Sequence, residues 1–196
     1  MERKTAGVDL DDVLAKHALA FVSLVNERYG LNLTEADYTN NWPELLHIDM
    51  EEAVELARIF HLGESVIKFA VKEEAKDALT RLRETHDLVV VTARRRDLTE
   101  TTRQWIEMHF PGIFIDIRVV PVWTEEVVPT KAEVCREVGA SYLIDDDPGH
   151  CTLAAEAGID ALLFDTPWNR GVQETDRLTR VKGWEGILEY FDAAAG

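Results

Sequence analysis

The pattern of hydrophobic and polar residues differs between two parts of the chain. From Leu14 to about Arg83, apolar residues recur mostly at three- and four-residue spacing, which predicts helices. Residues 4–9 instead indicate a short strand, and after Arg83 short apolar runs alternate with amphipathic stretches. The run Leu88–Val91 is apolar throughout, as expected for a strand that is buried on both faces. Such alternation predicts an α/β fold, with a doubly wound parallel sheet covered by helices on both sides.

The predicted elements also indicate a domain organisation. In the first part we predict helices at Ala15–Tyr29, from Thr34, at Met50–Phe60 and at Lys72–Thr85, with a break at 40–43. In the second part we predict strands at Leu88–Val91, Ile115–Val120, Tyr142–Ile144 and Ala161–Phe164, and helices at Asp97–His109, Thr130–Val138, Cys151–Ala157 and Trp184–Phe191. We therefore expect a core of residues 1–13 and 86–196, with a helical cap of residues 14–85 inserted after the first strand. A cap there would overhang the carboxyl end of that strand, where a lid belongs.

Composition narrows the classes of partner. The 196 residues include 37 acidic and 21 basic ones, which gives a net charge of −16. Such a surface repels a phosphate backbone, so we do not expect a nucleic-acid polymer as partner. The two cysteines and six histidines follow no metal-binding spacing, and no apolar run is long enough for a membrane span. We expect a cytoplasmic protein with reduced thiols and no membrane partner.

An acidic cluster follows the first predicted strand. Asp9, Asp11 and Asp12 lie where ligands collect in open parallel sheets, beyond the carboxyl end of a strand. Like charges at close range resist joint ionisation, whereas a hard cation such as Mg²⁺ takes carboxylate and carbonyl oxygens. The alternative is an acidic start of a helix, in which aspartate accepts hydrogen bonds from free backbone N–H groups.

Three further polar positions follow predicted strand ends or begin a helix. Thr92 follows Leu88–Val91, Lys131 stands at a helix start, and Asp145 and Asp146 follow the strand at Tyr142–Ile144. Each position alone is weak evidence for a functional site. The threonine could be a helix cap, the lysine a solvated residue, and the aspartates part of a turn. Their order along the chain favours one shared site.

With these motifs, the sequence resembles the haloacid-dehalogenase-like (HAD) phosphohydrolase superfamily. VDLDDVLA resembles its first motif, VVVTARR its second, VPTKAEV its third and IDDDP its acidic fourth. Within the superfamily, the start of the chain, the TAR motif and LLFDTPWNRG resemble the 5'(3')-deoxyribonucleotidase-like branch. The resemblance implies a HAD-like core and a phosphatase.

The resemblance also implies roles for single residues. Asp9 would be the nucleophile and Asp11 the acid and base. Phosphate would be bound by Thr92, Ala93, Lys131 and Arg94, although an exposed loop position is the simpler interpretation of Arg94. Mg²⁺ would be held by Asp9, Asp145 and the backbone carbonyl of Asp11, with Asp146 as an outer partner that fixes a metal-bound water or Lys131.

Two positions depart from the nucleotidase pattern. Asp12 stands where that branch usually has glycine, and it is either a helix cap or a change near the metal. His17 stands where pyrimidine nucleotidases have an aromatic residue against the base. It could stack on a base, contact a phosphate or lie at a hinge. Trp42, before Pro43, is the candidate aromatic contact within the cap.

These residues predict a Mg²⁺-dependent phosphomonoesterase that acts through an aspartyl-phosphate intermediate. Its substrate would be a small phosphorylated metabolite, with a 5'- or 3'-(deoxy)nucleotide as the first hypothesis. The alternatives are a phosphatase of sugar phosphates or other small metabolites, and a catalytically silent phosphate-binding protein. The sequence leaves a homodimer open.

Overall fold

A computed structural model describes residues 3–122 and 124–195. Their sheet has six parallel strands in the order β3-β2-β1-β4-β5-β6. The strands are β1 Lys4–Val8, β2 His86–Arg94, β3 Asp116–Pro121, β4 Ala140–Asp145, β5 Asp160–Phe164 and β6 Leu178–Val181. The predicted α/β class with a parallel sheet is confirmed, while the outermost predicted positions, 1–2 and 196, lie outside the described residues.

The helices complete the description of the elements. They are α1 His17–Tyr29, α2 Trp42–Leu46, α3 Met50–Phe60, α4 Gly63–Val66, α5 Ala75–Leu82, α6 Thr99–His109, α7 Lys131–Glu137, α8 Pro148–Glu156 and α9 Gly183–Ala195. Among the described residues, no helix is long and apolar enough to cross a bilayer.

The sheet is buried on both faces, as the valine-rich second strand predicts. Leu88 and Val90 of β2 face a core with α1, α5, α6 and α9, whereas Val89 and Val91 face a second core with α7 and α8. Gly7 of β1 belongs to the second side, where an added Cβ would lie 3.0 Å from the Cys135 sulfur of α7. The missing side chain therefore lets α7 pack close to the centre of the sheet.

The strand order reverses direction beside β1. The chain proceeds from β1 outward to β2 and β3, and then returns to place β4 on the other side of β1. Val8 is level with Ile144 in the ladder, and the Asp9 N–H extends it by donating to the Ile144 carbonyl at 2.9 Å. Asp9 and Asp145 are thus brought together at the switch point of the sheet, where α/β proteins bind ligands.

The segment between β1 and β2 leaves and re-enters the sheet through two adjacent connections. Lys16 N–H donates to the Ala70 carbonyl at 2.7 Å, and Lys72 N–H donates to the Leu14 carbonyl at 2.8 Å. This pairing fits an insertion after the first strand. The division into a cap at 14–85 and a core stays a prediction, since the last helix of that range, α5, packs against α9.

Several boundaries differ from the predicted ones. β6 at Leu178–Val181 was not predicted, and α2 begins at Trp42, within the predicted break. Proline at the second position of α2 is compatible with helix, because the first-turn N–H groups have no intrahelical partner. β2 continues to Arg94, so Thr92 and Arg94 lie inside the strand rather than beyond it.

Candidate active site

A buried lysine joins two aspartates at the switch point. Lys131 Nζ lies 2.7 Å from an oxygen of Asp9 and 2.7 Å from an oxygen of Asp145. Lys131 is the first residue of α7, where Thr130 and Glu133 form a capping box, and only 2% of it is exposed. Burial would lower the pKa of Lys131, but the two carboxylates outweigh burial and raise it. The lysine is therefore a fixed cation of the site and not a solvated one.

One lysine does not balance the negative charge around it. Asp9, Asp145 and Asp146 each place a carboxylate oxygen within 4.8 Å of the other two. Burial, opposed by Lys131 and reinforced by the other carboxylates, raises the pKa of Asp9 to about 7. Burial and Asp145 raise that of Asp146 well above its ordinary value. The cluster is thus electrostatically unfavourable by itself and suited to a bound cation.

Two buried oxygens of the site lack a hydrogen-bond partner among the described residues. They are Asp9 Oδ1, which has an ion-pair distance to Lys131 but not hydrogen-bond geometry, and the Thr92 hydroxyl. Buried polar atoms in proteins are nearly always satisfied. Asp9 Oδ1 already has the Lys131 charge at 2.7 Å, whereas the buried Thr92 hydroxyl is free to donate to a phosphate oxygen. The oxygen-only donor set is the kind that Mg²⁺ prefers, so the residues present fit this ion.

Asp145 and Asp146 have different surroundings. Both oxygens of Asp145 have donors, from Lys131 at 2.7 Å and from the Asp147 N–H at 3.0 Å. Asp146 accepts the indole N–H of Trp168 at 2.8 Å on one oxygen. The resemblance implies Asp145 as a metal ligand and Asp146 as an outer partner. These contacts favour the reverse assignment, in which Asp145 orients Lys131 and Asp146 keeps an oxygen for a cation.

Asp11 is held by an arginine fork. Arg94 Nε donates to one Asp11 oxygen at 2.8 Å and Nη2 to the other at 2.5 Å, while Nη1 donates to the Thr102 hydroxyl at 3.2 Å. Burial would raise the pKa of Asp11, but Arg94 and His17 outweigh it and lower the pKa well below its usual range. Arg94 is only 3% exposed, so the interpretation as an exposed loop residue was wrong.

Asp12 has the geometry of a helix cap. Both of its oxygens accept the Ala18 N–H, at 3.0 and 3.1 Å, at the start of α1. Its φ of 59° is left-handed, a conformation that glycine adopts freely and aspartate tolerates better than most residues. Glycine, which the resemblance implies at this position in the nucleotidase branch, would adopt this φ without strain.

His17 is paired with a second histidine that the sequence analysis missed. The two Nε2 atoms of His17 and His61 lie 3.3 Å apart, and His61 Nδ1 lies 3.0 Å from the Ala57 carbonyl. Because a carbonyl only accepts, we infer that His61 carries its proton on Nδ1 and accepts at Nε2 from His17. His17 Nδ1 in turn faces an Asp12 oxygen at 3.5 Å. The two histidines are 44 residues apart, so no local spacing in the sequence predicts that they form a pair.

A cavity of about 1100 Å³ joins this cluster to helices α2 and α3. Asp9, Asp11, Ala93, Arg94, Lys131 and Asp146 line one wall, and His17, Tyr38, Trp42, Ala57 and His61 are among those that line the other. Trp42 stacks on Phe21 with a centroid distance of 4.1 Å and lies nearly parallel to His61 at 6.0 Å. Most of the predicted site residues line this cavity, whereas Thr92 and Asp145 are fully buried and do not line it.

The fold and the shape of this site define a class of protein. A haloacid-dehalogenase-like hydrolase from Streptococcus pneumoniae matches with a TM-score of 0.69 at 16% identity, over 96% of this chain and 98% of that one. The HAD hydrolase YfnB from Bacillus subtilis, solved with bound magnesium, matches with a TM-score of 0.61 at 15% identity, over 98% and 100% of the two chains. The protein has the fold of the HAD-like hydrolases.

The sequence identifies the family within this class. Residues 3–193 match the family model described as 5' nucleotidase, deoxy (pyrimidine), cytosolic type C protein. The chain is also 27% identical over 198 residues to a protein of Staphylococcus epidermidis named "Putative 5'(3')-deoxyribonucleotidase", with 98% of each chain covered. The chain belongs to this nucleotidase family of the HAD phosphohydrolases, which are enzymes that act on small phosphorylated substrates.

Proposed function

We propose that this protein is a Mg²⁺-dependent phosphomonoesterase that forms a phospho-enzyme on Asp9 and hydrolyses 5'- or 3'-(deoxy)nucleotides. The observation that carries the proposal is the position of Asp9 at the switch point, where Lys131 Nζ lies 2.7 Å from its carboxylate. The neighbouring strand β2 carries the Thr92 hydroxyl, which is buried and has no hydrogen-bond partner among the described residues. A carboxylate nucleophile needs nearby positive charge and donors, because the phosphoryl oxygens carry negative charge throughout the transfer.

In the first step of the reaction, each of four residues has a separate role. The Asp9 carboxylate attacks phosphorus and forms an acyl phosphate, while the bond from phosphorus to the leaving alcohol breaks. Lys131 and the Thr92 hydroxyl bind phosphoryl oxygens. Asp11, which Arg94 holds ionised, must open its contact with Arg94 and take up a proton from solvent before it gives that proton to the leaving oxygen. Mg²⁺, when bound through Asp9, Asp146 and the Asp11 carbonyl, would supply further charge neutralisation.

Asp11 then acts as a base in the second step. It takes a proton from the water that attacks the phosphorus of the phospho-enzyme, which restores the Asp9 carboxylate and releases phosphate. The fork from Arg94 favours the ionised form of Asp11 and so supports this second role. In this scheme Arg94 positions Asp11, and a direct contact with phosphate would require the fork to open.

The substrate class rests on the family and on the aromatic wall of the cavity. Trp42, Tyr38 and His17 contribute aromatic rings to the lining of the cavity, and such a lining suits a nucleobase better than a sugar phosphate. We further propose that residues 14–85 act as a cap over the strand ends. The buried thiols of Cys135 and Cys151 are consistent with a reducing, cytoplasmic setting.

A substrate panel with a matched pair of variants tests the function. Turnover of p-nitrophenyl phosphate, deoxynucleoside 5'- and 3'-monophosphates and deoxyribose 5-phosphate would be measured with Mg²⁺ or with EDTA. We expect EDTA to abolish turnover, Asp9→Asn to lower kcat by about 10⁴-fold or more, and Asp12→Asn to change it by less than about fivefold.

Three results would contradict the proposal. Full activity of Asp9→Asn would show that Asp9 is not the nucleophile, and full activity in EDTA would show that the reaction needs no metal ion. Equal kcat/KM for a deoxynucleotide and for deoxyribose 5-phosphate would favour the sugar-phosphate alternative, since a nucleotidase should use the base to bind its transition state.

A further inference from the structure

The turn after β5 lies between two parts of the site. One is the carboxylate group of Asp9, Asp145 and Asp146, and the other is the helical segment, residues 14–85, which connects β1 to β2. This turn, Pro167–Asn169, belongs to the LLFDTPWNRG stretch, to which the catalytic scheme assigns no role. Trp168 donates its indole N–H to Asp146 Oδ2 at 2.8 Å. The same ring packs edge-on against Tyr38, with a centroid distance of 4.9 Å and an interplanar angle of 72°. One side chain thus contacts both a candidate metal ligand and the opposite wall of the cavity.

Hydrogen bonds of Asn169 and Arg180 fix the backbone of the turn itself. Asn169 Nδ2 donates to the main-chain carbonyls of Asp146 and Phe164, each at 2.8 Å. Arg180 of β6 donates to the Asn169 side-chain oxygen at 2.6 Å and to its main-chain carbonyl at 2.8 Å. The backbone beneath Trp168 is therefore tied to the sheet, and the direction of the indole depends on what packs against its ring.

Tyr38 is well placed to set that direction. It follows the 3-10 turn Glu35–Asp37 and is 5% exposed. Its ring also contacts Phe21 of α1 edge-on at 5.6 Å, and its hydroxyl donates to Asn40 at 3.0 Å. Any displacement of this part of the helical segment would withdraw Tyr38 from the indole.

We propose that Trp168 is a positioning residue that links the orientation of the Asp146 carboxylate to the place of the helical segment through Tyr38. The inference rests on the proposed function, since it needs Asp146 to serve a metal ion. The indole holds one carboxylate oxygen and leaves the other available to a cation, and the Tyr38 ring holds the indole. Metal affinity and closure of the helical segment then support each other, as linkage requires.

The test measures Mg²⁺ binding directly, by isothermal titration calorimetry on metal-free protein. Trp168→Phe keeps a ring against Tyr38 but removes the N–H donor, and we expect the Mg²⁺ Kd to rise about tenfold, in the range for loss of an outer-shell partner. Tyr38→Leu removes the ring contact, and we expect a rise of about threefold. Trp168→His restores a ring N–H and should recover part of the affinity. If Trp168→Phe fails to fold, Trp168→Leu replaces it as the variant without a donor, and Tyr38→Leu is then the reference for the lost ring contact.

Two control variants separate positioning from general damage. Trp105→Phe removes the same kind of donor, an indole N–H that bonds the Phe69 carbonyl at 2.9 Å, but away from Asp146. Tyr38→Phe keeps the ring and loses only the hydroxyl. Both should retain the wild-type Kd. Turnover adds a second readout: in Trp168→Phe, saturating Mg²⁺ should restore kcat to within about threefold.

The outcomes distinguish the two proposals. If the wild type neither binds Mg²⁺ nor hydrolyses a phosphomonoester, the proposed function fails and this inference with it. If the wild type does both while Trp168→Phe keeps the wild-type Kd, only the inference is overturned. An equal loss of affinity in Trp105→Phe, or a loss of kcat that Mg²⁺ does not restore, would also overturn it.

Discussion

The two walls of the cavity are built on different principles. The strand-end wall consists of Asp9, Asp11, Ala93, Arg94, Lys131 and Asp146. Short ion pairs and hydrogen bonds, one of them between Lys131 and the buried Asp145, fix its charged side chains. The segment wall consists of His17, Tyr38, Trp42, Ala57 and His61, and ring packing holds most of it. Charge pairs tolerate little displacement, whereas ring contacts permit adjustment. In the proposed function, the chemistry takes place on the first wall and the second wall recognises the base.

The segment wall also continues into an exposed rim, which the strand-end wall does not. Met50, Val54 and Leu62 are 67%, 45% and 54% exposed and line the same cavity. Isolated apolar residues on a surface are ordinary, but here they border an aromatic pocket. The difference between the walls suggests variants that affect one wall and leave the other intact.

The largest effect is expected from removal of the cation on the strand-end wall. Lys131→Met leaves Asp9 and Asp145 buried without their counter-charge, and we expect a loss of about 3 kcal/mol in the free energy of unfolding. Urea unfolding at pH 8 in EDTA would measure it. Turnover should fall by at least about 10³-fold, because both phosphate binding and the charge balance of Asp9 depend on the lysine.

A surface ion pair provides the matched control for this variant. Lys16 contacts the exposed Glu73 at 2.5 Å, and Lys16→Met should cost less than about 1 kcal/mol. Added Mg²⁺ should restore part of the stability of Lys131→Met, since a cation replaces the missing charge. Equal losses in the two variants would show that the buried cluster does not depend on Lys131.

A second prediction concerns the pH dependence of stability on the segment wall. Burial and the neighbouring His17 lower the pKa of His61 to about 4. The unfolded chain, with the ordinary value near 6.5, then binds the proton more readily than the folded one. Stability from this group is complete above pH 6.5 and is lost as pH falls from about 6.5 towards 4. The pKa difference corresponds to about 3 kcal/mol.

Urea unfolding between pH 7.5 and 4.5 would test this contribution. Burial would lower the pKa of His17, but Asp11 and Asp12 raise it, so His17 acts in the opposite sense. The informative quantity is therefore the difference between wild type and His61→Gln, which should shrink as pH falls. His47→Asn, at an exposed position on the same segment, should follow the wild type. A difference that stays constant with pH would refute the assignment.

The strand-end wall could be predicted from sequence to a large extent, whereas only His17 and Trp42 of the segment wall were singled out. Most residues of the strand-end wall follow a strand or begin a helix, while Ala93 and Arg94 are the last two residues of β2. A parallel sheet brings such positions to one edge. Asp9 and Asp145 meet because Val8 and Ile144 are level in the ladder. Periodicity and turn residues are enough to locate these positions.

The remaining features depend on contacts between distant residues. The fork between Arg94 and Asp11 joins positions 83 residues apart, and the pair of His17 and His61 joins positions 44 apart. No local pattern encodes such pairs. β6 was missed because it has only four residues, two of them polar, and takes its place through pairing with β5. The role of Trp168 likewise depends on where the helical segment lies.

The smallest predicted effect is the one that best separates the two walls. Trp42→Leu removes the ring that stacks on Phe21 and lies beside His61, without touching a charged group of the strand-end wall. We expect kcat/KM for deoxynucleotides to fall about tenfold, in line with the loss of one aromatic contact, and turnover of p-nitrophenyl phosphate to stay within about twofold. Tyr29→Leu, on the same segment, should change neither. A parallel fall for both substrates would mean that Trp42 supports the chemistry itself, and the separation of recognition from catalysis would be lost.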